Sequence, residues 1–499
     1  MSIPFLAGSK VSNISRFYLI LYTNHIFMKR TNLLAAAILL GLLTPSLLKA
    51  ETKPVTGTFM NFFWQDERNN YMNQRNVDQT DPLLWETKVR EMHEMGIDYL
   101  VFMAVANEGK AIYPSSFMPW AYPAERKSPI DAIMDTADEL GMHVMVSTGW
   151  ARNQLDDLKD PYVIETQRKI MEELAALYGQ RPSFYGWYLP VEGCFIPYLP
   201  DHAVEGANRI AERARELTPG AKVLISPYGI FRGDFSNPKF AEQIKRLNVD
   251  IIAHQDEIGC VREQFPMENL REHLKLLGDI HRECGIEFWV NVESFTWDRP
   301  ANNWYSTLIP AAFGRYLSQI VAASEAGADR IISFAVCGTF DKPGSPYPVG
   351  QPVLSNEAYE NYMAWLGGDA RWKLLEEFLS DGKHAGEDPG DARWTSYEGQ
   401  MVQTVYLGAK KNISLVAGHF CDYRGGDVVI PQSFEVQVSD DGRHFKSVKT
   451  VAYEAWPNNL HDCWTDVILA DGLDVKARYV RVVATASRGK ILCDGITVR

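Results

Sequence analysis

The sequence predicts a protein of the α/β class, a (β/α)8 barrel (TIM barrel) followed by an all-β sandwich. The first observation is that short apolar runs alternate eight times with longer amphipathic segments between Val55 and about Gly367. The second is that no polar face interrupts those runs, as expected of parallel strands that are covered on both sides. No G-x-G-x-x-G follows the first run, which excludes a dinucleotide-binding sheet. Beyond Gly368 the pattern changes to β alternation.

The eight predicted barrel strands are rich in Val, Ile, Phe and Trp. They cover residues 55–64, 98–106, 143–150, 184–192, 222–228, 250–256, 287–295 and 330–336. The segments between them carry helix-start signals, since Asp81, Ser128 and Asp160 each precede a proline at the first helical position. Several helices are predicted to end at a glycine before the next strand, as at Gly96 and Gly285. This repeat of helix, glycine and strand is typical of βα units.

The chain divides into three predicted parts. Residues 1–50 combine an upstream extension with a secretory signal peptide, in which Met28 is the predicted initiator and Ala50 the small residue at the cleavage site. Residues 51–368 form the barrel and residues 369–499 the sandwich. We therefore expect a secreted or periplasmic protein, or one associated with the cell surface, with no integral membrane span in the mature chain.

The last part shows no long helical period after a bridging segment at 372–380. Its β patterning covers residues 401–406, 412–419, 433–439, 465–469, 479–485 and 490–498. The sequence Asp440-Asp441-Gly442 separates two of these runs, and Asp-Gly is a favoured hairpin turn. The pattern predicts a β-sandwich.

Charge and cysteine content exclude several classes of protein. The formal net charge is −13 and no run of Lys or Arg is long enough to follow a phosphate backbone, which excludes nucleic acid as the partner. Seven cysteines are spread singly, so zinc ribbons and thioredoxin-like motifs are excluded by spacing. An exported protein can form disulfides, and Cys421, Cys463 and Cys493 allow one pair among them.

Two glutamates end predicted strands at the face where such barrels hold their active sites. Glu192 ends the fourth strand and Glu293 the seventh, on opposite sides of an eight-stranded ring. Glycoside hydrolysis needs two carboxyls, one protonated to assist the leaving oxygen and one ionised to attack the anomeric carbon or activate water. The sequence therefore predicts Glu192 and Glu293 as the catalytic pair.

Amide, aromatic and carboxylate side chains around the same rim are predicted to bind the substrate. They are Asn61, Trp64, Asn107, Trp150, Tyr188, Tyr228, Gln255, Asp256, Asn291 and Trp297. Tryptophan faces pack well against the apolar C–H face of a sugar ring. No cofactor is required for this chemistry and no metal is predicted in the barrel. A weaker alternative is a metal-dependent hydrolase that uses Glu108, His254 and Asp256.

The barrel segment resembles a known family. The matching runs are residues 57–63, 186–192 and 289–293. They resemble a family of secreted proteins catalogued as domain of unknown function 4434, among the glycoside-hydrolase-like TIM barrels, and the resemblance covers residues 55–367. It implies that Glu192 is the acid/base and Glu293 the nucleophile. Many members of the largest glycoside-hydrolase clan carry Asn where this chain has Val191, so the resemblance is closer in fold than in mechanism.

The sandwich segment carries a second resemblance, on residues 379–382, 394, 434–445, 477–482 and 491–498. These runs are similar to the discoidin or coagulation factor 5/8 type C group of galactose-binding-like jelly rolls. The resemblance implies glycan binding at loop tips, for which Trp456, Asn458 and Asn459 are the candidates. It also implies a structural calcium ion near Asp381 and Asp494, although calcium requires 6–8 oxygen ligands.

These observations predict a secreted glycoside hydrolase that cleaves an O-glycosidic bond through Glu192 and Glu293. The sandwich would hold the barrel near an oligo- or polysaccharide substrate. The alternative is a non-catalytic glycan-binding or surface-scaffold protein on the same barrel, because function depends on the site rather than on the fold. The sugar, the linkage and the oligomeric state stay open.

Overall fold

The computed structural model describes residues 51–62, 77–190, 193–261, 265–298, 307–456 and 462–499. The predicted extension and signal peptide lie outside these ranges, as do Trp64, Glu192, Asn458 and Asn459. Within the described ranges, no helix has the length and apolar character needed to cross a membrane.

Eight parallel strands close into the predicted barrel. They are β1 (Val55–Met60), β2 (Tyr99–Phe102), β3 (His143–Ser147), β4 (Phe184–Leu189), β5 (Lys222–Ile225), β6 (Ile251–Gln255), β7 (Glu287–Glu293) and β8 (Arg330–Phe334). Each strand pairs with its neighbours in sequence, and β1 closes the ring against β8 with Gly57 opposite Ile332. All eight predicted strands are confirmed, although most end a few residues earlier than expected.

One helix follows each strand. The helices are α1 (Pro82–Glu94), α2 (Pro129–Leu140), α3 (Pro161–Tyr178), α4 (Asp201–Leu217), α5 (Pro238–Arg246), α6 (Met267–Cys284), α7 (Phe313–Glu325) and α8 (Leu354–Leu366). The predicted caps are present, because the side chains of Asp81, Ser128 and Asp160 accept hydrogen bonds from backbone N–H groups of the first turn. Gly285 ends α6 in the left-handed conformation.

Two short antiparallel strand pairs lie on the C-terminal side of the barrel. They pair Ala106–Asn107 with Lys110–Ala111 and Phe295–Trp297 with Leu308–Pro310. Inside the ring, Phe59, Tyr188 and Trp289 belong to a cluster of buried side chains that fills the barrel. A larger apolar layer packs the strands against the helices. The barrel is therefore a solid core that carries its site at one end.

The second domain begins with α9 (Ala370–Ser380), where the bridging segment was predicted. Its strands are β9 (Thr395–Ile413), β10 (Val416–Tyr423), β11 (Ser433–Ser439), β12 (Lys446–Ala452), β13 (Cys463–Ala470) and β14 (Val475–Val498). They pair antiparallel in the order β12-β11-β14-β10-β13, and β9 also pairs with β14. The predicted strands at 479–485 and 490–498 are one continuous strand, because both halves pair with β9.

The barrel and the sandwich pack against each other through α7, α9 and β13. Arg371 of α9 donates hydrogen bonds from Nε and Nη2 to the two carboxylate oxygens of Asp466 on β13. Gly314 of α7 lies so close to β13 that a Cβ there would be 2.3 Å from the carbonyl oxygen of Thr465. The close approach of α7 to β13 thus joins the two domains. The Arg371–Asp466 ion pair ties α9 to β13 within the second domain.

Candidate active site

Glu293 is the last residue of β7 and faces the barrel mouth. Side chains alternate along a strand, so Trp289, Asn291 and Glu293 share one face. Trp289 packs in the cluster that fills the barrel. Asn291 is therefore one layer above this cluster, and Glu293 is one layer higher at the mouth, as the sequence predicts.

The carboxyl of Glu293 is held in place by the loop after β6. Its Oε2 accepts a 2.7 Å hydrogen bond from the backbone N–H of Cys260. Gly259 permits this approach, since a Cβ there would lie 2.9 Å from Oε2 of Glu293 and 2.6 Å from the carbonyl oxygen of Phe295. The side chain is only 3% exposed, and within the described ranges it forms no ion pair.

Asp256 supports Glu293 from outside the barrel wall. Its Oδ1 accepts a 3.1 Å hydrogen bond from the backbone N–H of Glu293. Its Oδ2 accepts one from Nε2 of Gln319, which also donates to the carbonyl oxygen of Glu293. Asp256 was predicted to bind substrate, but it is fully buried and engaged by these groups. Strand alternation is the reason, because Gln255 is the residue of this pair that faces inward.

Two functional neighbours were missed by the sequence analysis, Arg315 and Gln319 on α7. Both are fully buried, and Arg315 donates from Nη2 to the carbonyl oxygen of Phe295. They stand four residues apart, so they share one helix face. A charged and an amide residue at this spacing in an otherwise apolar helix is the signal that could have identified them.

A third carboxyl, that of Glu257, lies beside these groups. Glu257 has a positive φ of 57°, and its Oε1 accepts hydrogen bonds from the backbone N–H groups of Gly229 and Ile230. Its Oε2 is buried and has no hydrogen-bond partner in the described part of the chain. We refer to Asp256, Glu257 and Glu293 as the acid cluster.

Burial raises the pKa of every member of the acid cluster, and a neighbouring carboxylate adds to the rise for Glu293 and Glu257. Burial raises the pKa of Glu293 to about 8, and the charge of Asp256 adds to the rise while Cys260 and Arg315 oppose it. Burial likewise raises the pKa of Asp256 to about 6 and that of Glu257 to about 9. As the pH rises, the carboxyl of Asp256 is therefore the first of the three to lose its proton.

Several predicted binding residues have unmet hydrogen-bonding capacity at the mouth. Both amide atoms of Asn61, at the end of β1, are buried without a partner in the described ranges, as is Oδ1 of Asn291. Oδ1 of Asn107 is also buried and has no hydrogen-bond partner in those ranges. A buried polar atom without a partner costs roughly 1–3 kcal/mol. Such atoms are what a ligand with many hydroxyl groups would satisfy.

The other predicted binding residues have partners or pack in the core. Nε1 of Trp150 donates to the carbonyl oxygen of Pro190 at 3.2 Å, and Nε2 of Gln255 donates to that of Ser226 at 3.0 Å. Tyr228 is half-buried beside Glu257 and Glu293, and burial raises its pKa. Tyr188 is fully buried in the barrel interior and Trp297 is 2% exposed. Trp64 and Glu192 lie outside the described residues.

The structure contradicts the metal-dependent alternative. His254 points away from the mouth toward α6, where its Nε2 lies 2.9 Å from Nε2 of His281. No group of three or more His, Cys, Asp or Glu side chains that could hold a metal occurs among the described residues.

The predicted calcium site in the sandwich does not fit its surroundings either. Oδ1 of Asp381 accepts the backbone N–H groups of Lys383 and His384. Oδ2 of Asp494 accepts the backbone N–H of Ala385, and it lies 2.9 Å from Nδ1 of His419. Nitrogen donors thus occupy the positions where calcium would need oxygen ligands.

The fold and the polar mouth define a (β/α)8 barrel that carries an antiparallel β domain. The family model described as "Domain of unknown function (DUF4434)" matches residues 55–347, and the chain belongs to this family. The model of the F5/8 type C domain matches residues 368–493. Both resemblances seen in the sequence are confirmed. A search of curated proteins finds no significant match.

Solved structures with a similar fold include a protein from Bacteroides thetaiotaomicron VPI-5482 provisionally called an alpha-L-fucosidase. It is 20% identical, with a TM-score of 0.51, and the match covers 64% of this chain and 97% of that one. A GH5_18 protein from Streptomyces cattleya is 15% identical, with a TM-score of 0.39 and coverage of 63% and 81%. The first of these supports the fold of the barrel.

Proposed function

We propose that the protein hydrolyses an O-glycosidic bond of a glycan at the barrel mouth, with Glu293 and Glu192 as the catalytic carboxyls. The observation that carries this proposal is the acid cluster at the ends of β6 and β7, next to buried amides with unmet hydrogen bonds. Glycosidases need carboxyls whose pKa values are driven apart by their surroundings. A sugar supplies the hydroxyl groups that the unpartnered amides need.

In this proposal Glu192 is the general acid/base and Glu293 is the nucleophile or base. The family resemblance and the position of Glu192, three residues after the end of β4 in the sequence, support the pairing. Cys260 and Arg315 favour the ionised form of Glu293, the form that attack or base catalysis requires. The F5/8 type C domain is proposed to bind glycan and keep the barrel near a polymeric substrate.

A substrate screen with a pH profile tests the proposal. The mature protein would be assayed against a panel of polysaccharides and aryl glycosides. Because Glu293 must lose its proton to act, we expect activity to rise as pH increases toward about 8. Activity that falls over this range would mean that Glu293 is the acid rather than the nucleophile or base. No turnover on any glycan would contradict the proposal.

One observation favours the alternative of glycan binding without turnover. Glu293 is 3% exposed, and one of its oxygens is already engaged by Cys260. A carboxyl in this position can accept a hydroxyl group of a bound sugar without reacting. Glycan binding that persists with no detectable hydrolysis at any pH between 5 and 9 (roughly the range where the acid cluster titrates) would select this alternative.

A further inference from the structure

A cavity of about 230 Å³ lies between the loops that follow β3 and β4, on the same face of the barrel as Glu293. Pockets for drug-sized ligands measure roughly 300–1,000 Å³, so this one suits a single ring. Trp150 forms part of its wall, and Pro190 and Gly193 line it. In the sequence those two residues flank Val191 and Glu192. The cavity is thus lined by the residues that precede and follow, in the sequence, the dipeptide containing the proposed acid/base.

Gln167 of α3 brings a buried polar group to this cavity. Its side chain is 3% exposed, and Nε2 makes a long 3.4 Å hydrogen bond to the carbonyl oxygen of Gly149. Its Oε1 is buried and accepts no hydrogen bond in the described part of the chain. A buried acceptor without a donor is costly. A ligand hydroxyl in the cavity would remove that cost.

Apolar side chains also line the cavity, and one of them is open to solvent. Leu155, in the loop after β3, lines the cavity and is 90% exposed. Trp150 and Leu158 also line it and are 4% and 6% exposed. An almost fully exposed leucine and a buried tryptophan thus both contribute apolar atoms to the lining of the cavity. Sugar rings present such a combination, with C–H groups on their faces and hydroxyl groups at their edges.

The charges around the cavity restrict the class of sugar. No Lys or Arg is among the described residues that line it. Asp156 and Asp157 do line it, and Asp156 already accepts the backbone N–H groups of Ala151 and Arg152. An acidic sugar would meet these carboxylates without a cation to balance them. A neutral ring fits the lining.

We propose that this cavity is a subsite for a second, neutral sugar residue. The substrate would then be an oligosaccharide or polysaccharide of neutral sugars rather than a single glycosyl unit. The inference rests on the proposed function, because it assigns the cavity to the same bound chain that reaches the acid cluster.

The experiment measures binding separately from turnover. The full chain carrying Glu293→Gln would be titrated with a panel of neutral disaccharides and trisaccharides and with uronic-acid-containing oligosaccharides. We expect a neutral oligosaccharide to bind. Replacing Leu155→Ala or Gln167→Met should weaken its binding about tenfold, which corresponds to loss of one good contact. Leu83→Ala is the matched control, since Leu83 is 56% exposed on α1 and does not line the cavity.

The outcomes separate this inference from the proposed function. If the Leu155 and Gln167 variants lose binding but the wild-type chain hydrolyses nothing, the subsite stands and the hydrolase proposal fails. If the chain hydrolyses aryl glycosides but both variants bind and cleave oligosaccharides like the wild type, the subsite is wrong. Stronger binding of uronic-acid-containing oligosaccharides, or no binding by any member of the panel, also overturns it.

A separate observation concerns two thiols in the sandwich. Sγ of Cys421 on β10 lies 3.6 Å from Sγ of Cys463 on the neighbouring strand β13, and both residues are buried. In the strand register Cys421 is opposite Thr465, so the two cysteines are diagonal neighbours on one face. A disulfide requires the sulfurs to approach to about 2.05 Å. The two sulfurs would therefore have to come about 1.5 Å closer for the bond to form.

We infer that Cys421 and Cys463 form a disulfide when the chain folds in an oxidising compartment. Each thiol loses one hydrogen, the S–S bond forms, and a disulfide oxidant such as oxidised glutathione is reduced to two thiols. The test is refolding of the full chain with oxidised glutathione, followed by peptide mapping without reductant. A linked peptide containing both residues is expected for the wild type and for Cys493→Ser, and not for Cys421→Ser. A wild-type chain that keeps both thiols, or that links Cys421 to Cys493, would refute the pairing.

Discussion

The barrel and the sandwich bury carboxylates in opposite ways. In the sandwich Asp466 is paired with Arg371 through two hydrogen bonds, and it also accepts one from the hydroxyl of Tyr453. In the barrel, Glu293 is buried next to Asp256, a group of the same charge. The paired carboxylate ties α9 to β13 and is satisfied within the protein. In the acid cluster, burial and like charge instead raise the pKa values of Glu293 and Glu257.

The difference supports the proposal that the acid cluster, rather than the Arg371–Asp466 pair, takes part in a reaction. Buried groups that are paired with an opposite charge keep their charged form, whereas buried groups next to like charges have pKa values near the working pH. Only the second kind can gain or lose a proton during a reaction at neutral pH. Four measurements test the contrast between these two carboxylates.

Replacing Glu293 by glutamine has the largest expected effect. The change keeps the shape of the side chain and removes its ability to ionise, so glycan hydrolysis should fall by about 10³-fold or more. The matched control is Glu287→Gln at the other end of β7, where Glu287 pairs with Lys222. The control should keep near-normal activity, since residues at that end of a barrel strand support stability rather than catalysis. Equal activity of Glu293→Gln and the wild type would remove Glu293 from the mechanism.

The second largest expected effect is on the pH dependence of the free energy of unfolding, to which the buried carboxyl of Glu293 contributes. Glu293 has a folded-state pKa of about 8 against an ordinary value of 4.5, so it retains its proton in the folded chain after the unfolded chain has lost it. Stability from this group is complete below about pH 4.5 and is lost as pH rises through about 8. The loss is on the order of 4 kcal/mol. Urea unfolding between these limits should show a steeper decline for the wild type than for Glu293→Gln.

Breaking the ion pair between Arg371 and Asp466 should lower the free energy of unfolding without changing activity at the barrel mouth. Asp466→Asn leaves Arg371 without its partner, and we expect a loss of roughly 2 kcal/mol in the free energy of unfolding. The value is below that for a fully buried pair, because the Arg371 side chain is 33% exposed. The control is Asp440→Asn, which removes an exposed partner of Lys410 and should change stability by less than about 1 kcal/mol. A comparable loss in both variants would mean that the Arg371–Asp466 pair stabilises the fold no more than an exposed ion pair does.

The smallest expected effect is a shift of the pH profile in Asp256→Asn. Removing the neighbouring charge should lower the pKa of Glu293 and move the rising limb of activity by about one pH unit toward acid. Asp329→Asn is the control, because Asp329 accepts the backbone N–H of Phe288 at the start of β7. Its profile should keep the wild-type limb. An unshifted limb in Asp256→Asn would show that the two carboxyls are not coupled.

Much of the architecture was predictable because it depends on patterns of residues that are close together in the sequence. The eight strands, the three proline-marked helix starts and the position of Glu293 at the end of β7 all follow from residues within about ten positions of each other. Capping and strand periodicity are local effects, so Asp81, Ser128 and Asp160 identified their helices correctly. The strand bounds of the sandwich were predicted less exactly, because the length of a strand there depends on its pairing partner. The two halves of β14, for example, both pair with β9.

The sequence by itself determined that a carboxylate would stand at the end of a buried strand in a (β/α)8 barrel. Only the tertiary structure decided what surrounds it. Gln319 contacts Glu293 and Asp256 from 26 and 63 residues away, and no local pattern carries such contacts. Burial and like charge then raise the pKa of Glu293, because both depend on how distant segments pack. A pattern of ten residues can specify a strand, but the environment of its last side chain is a property of the whole barrel.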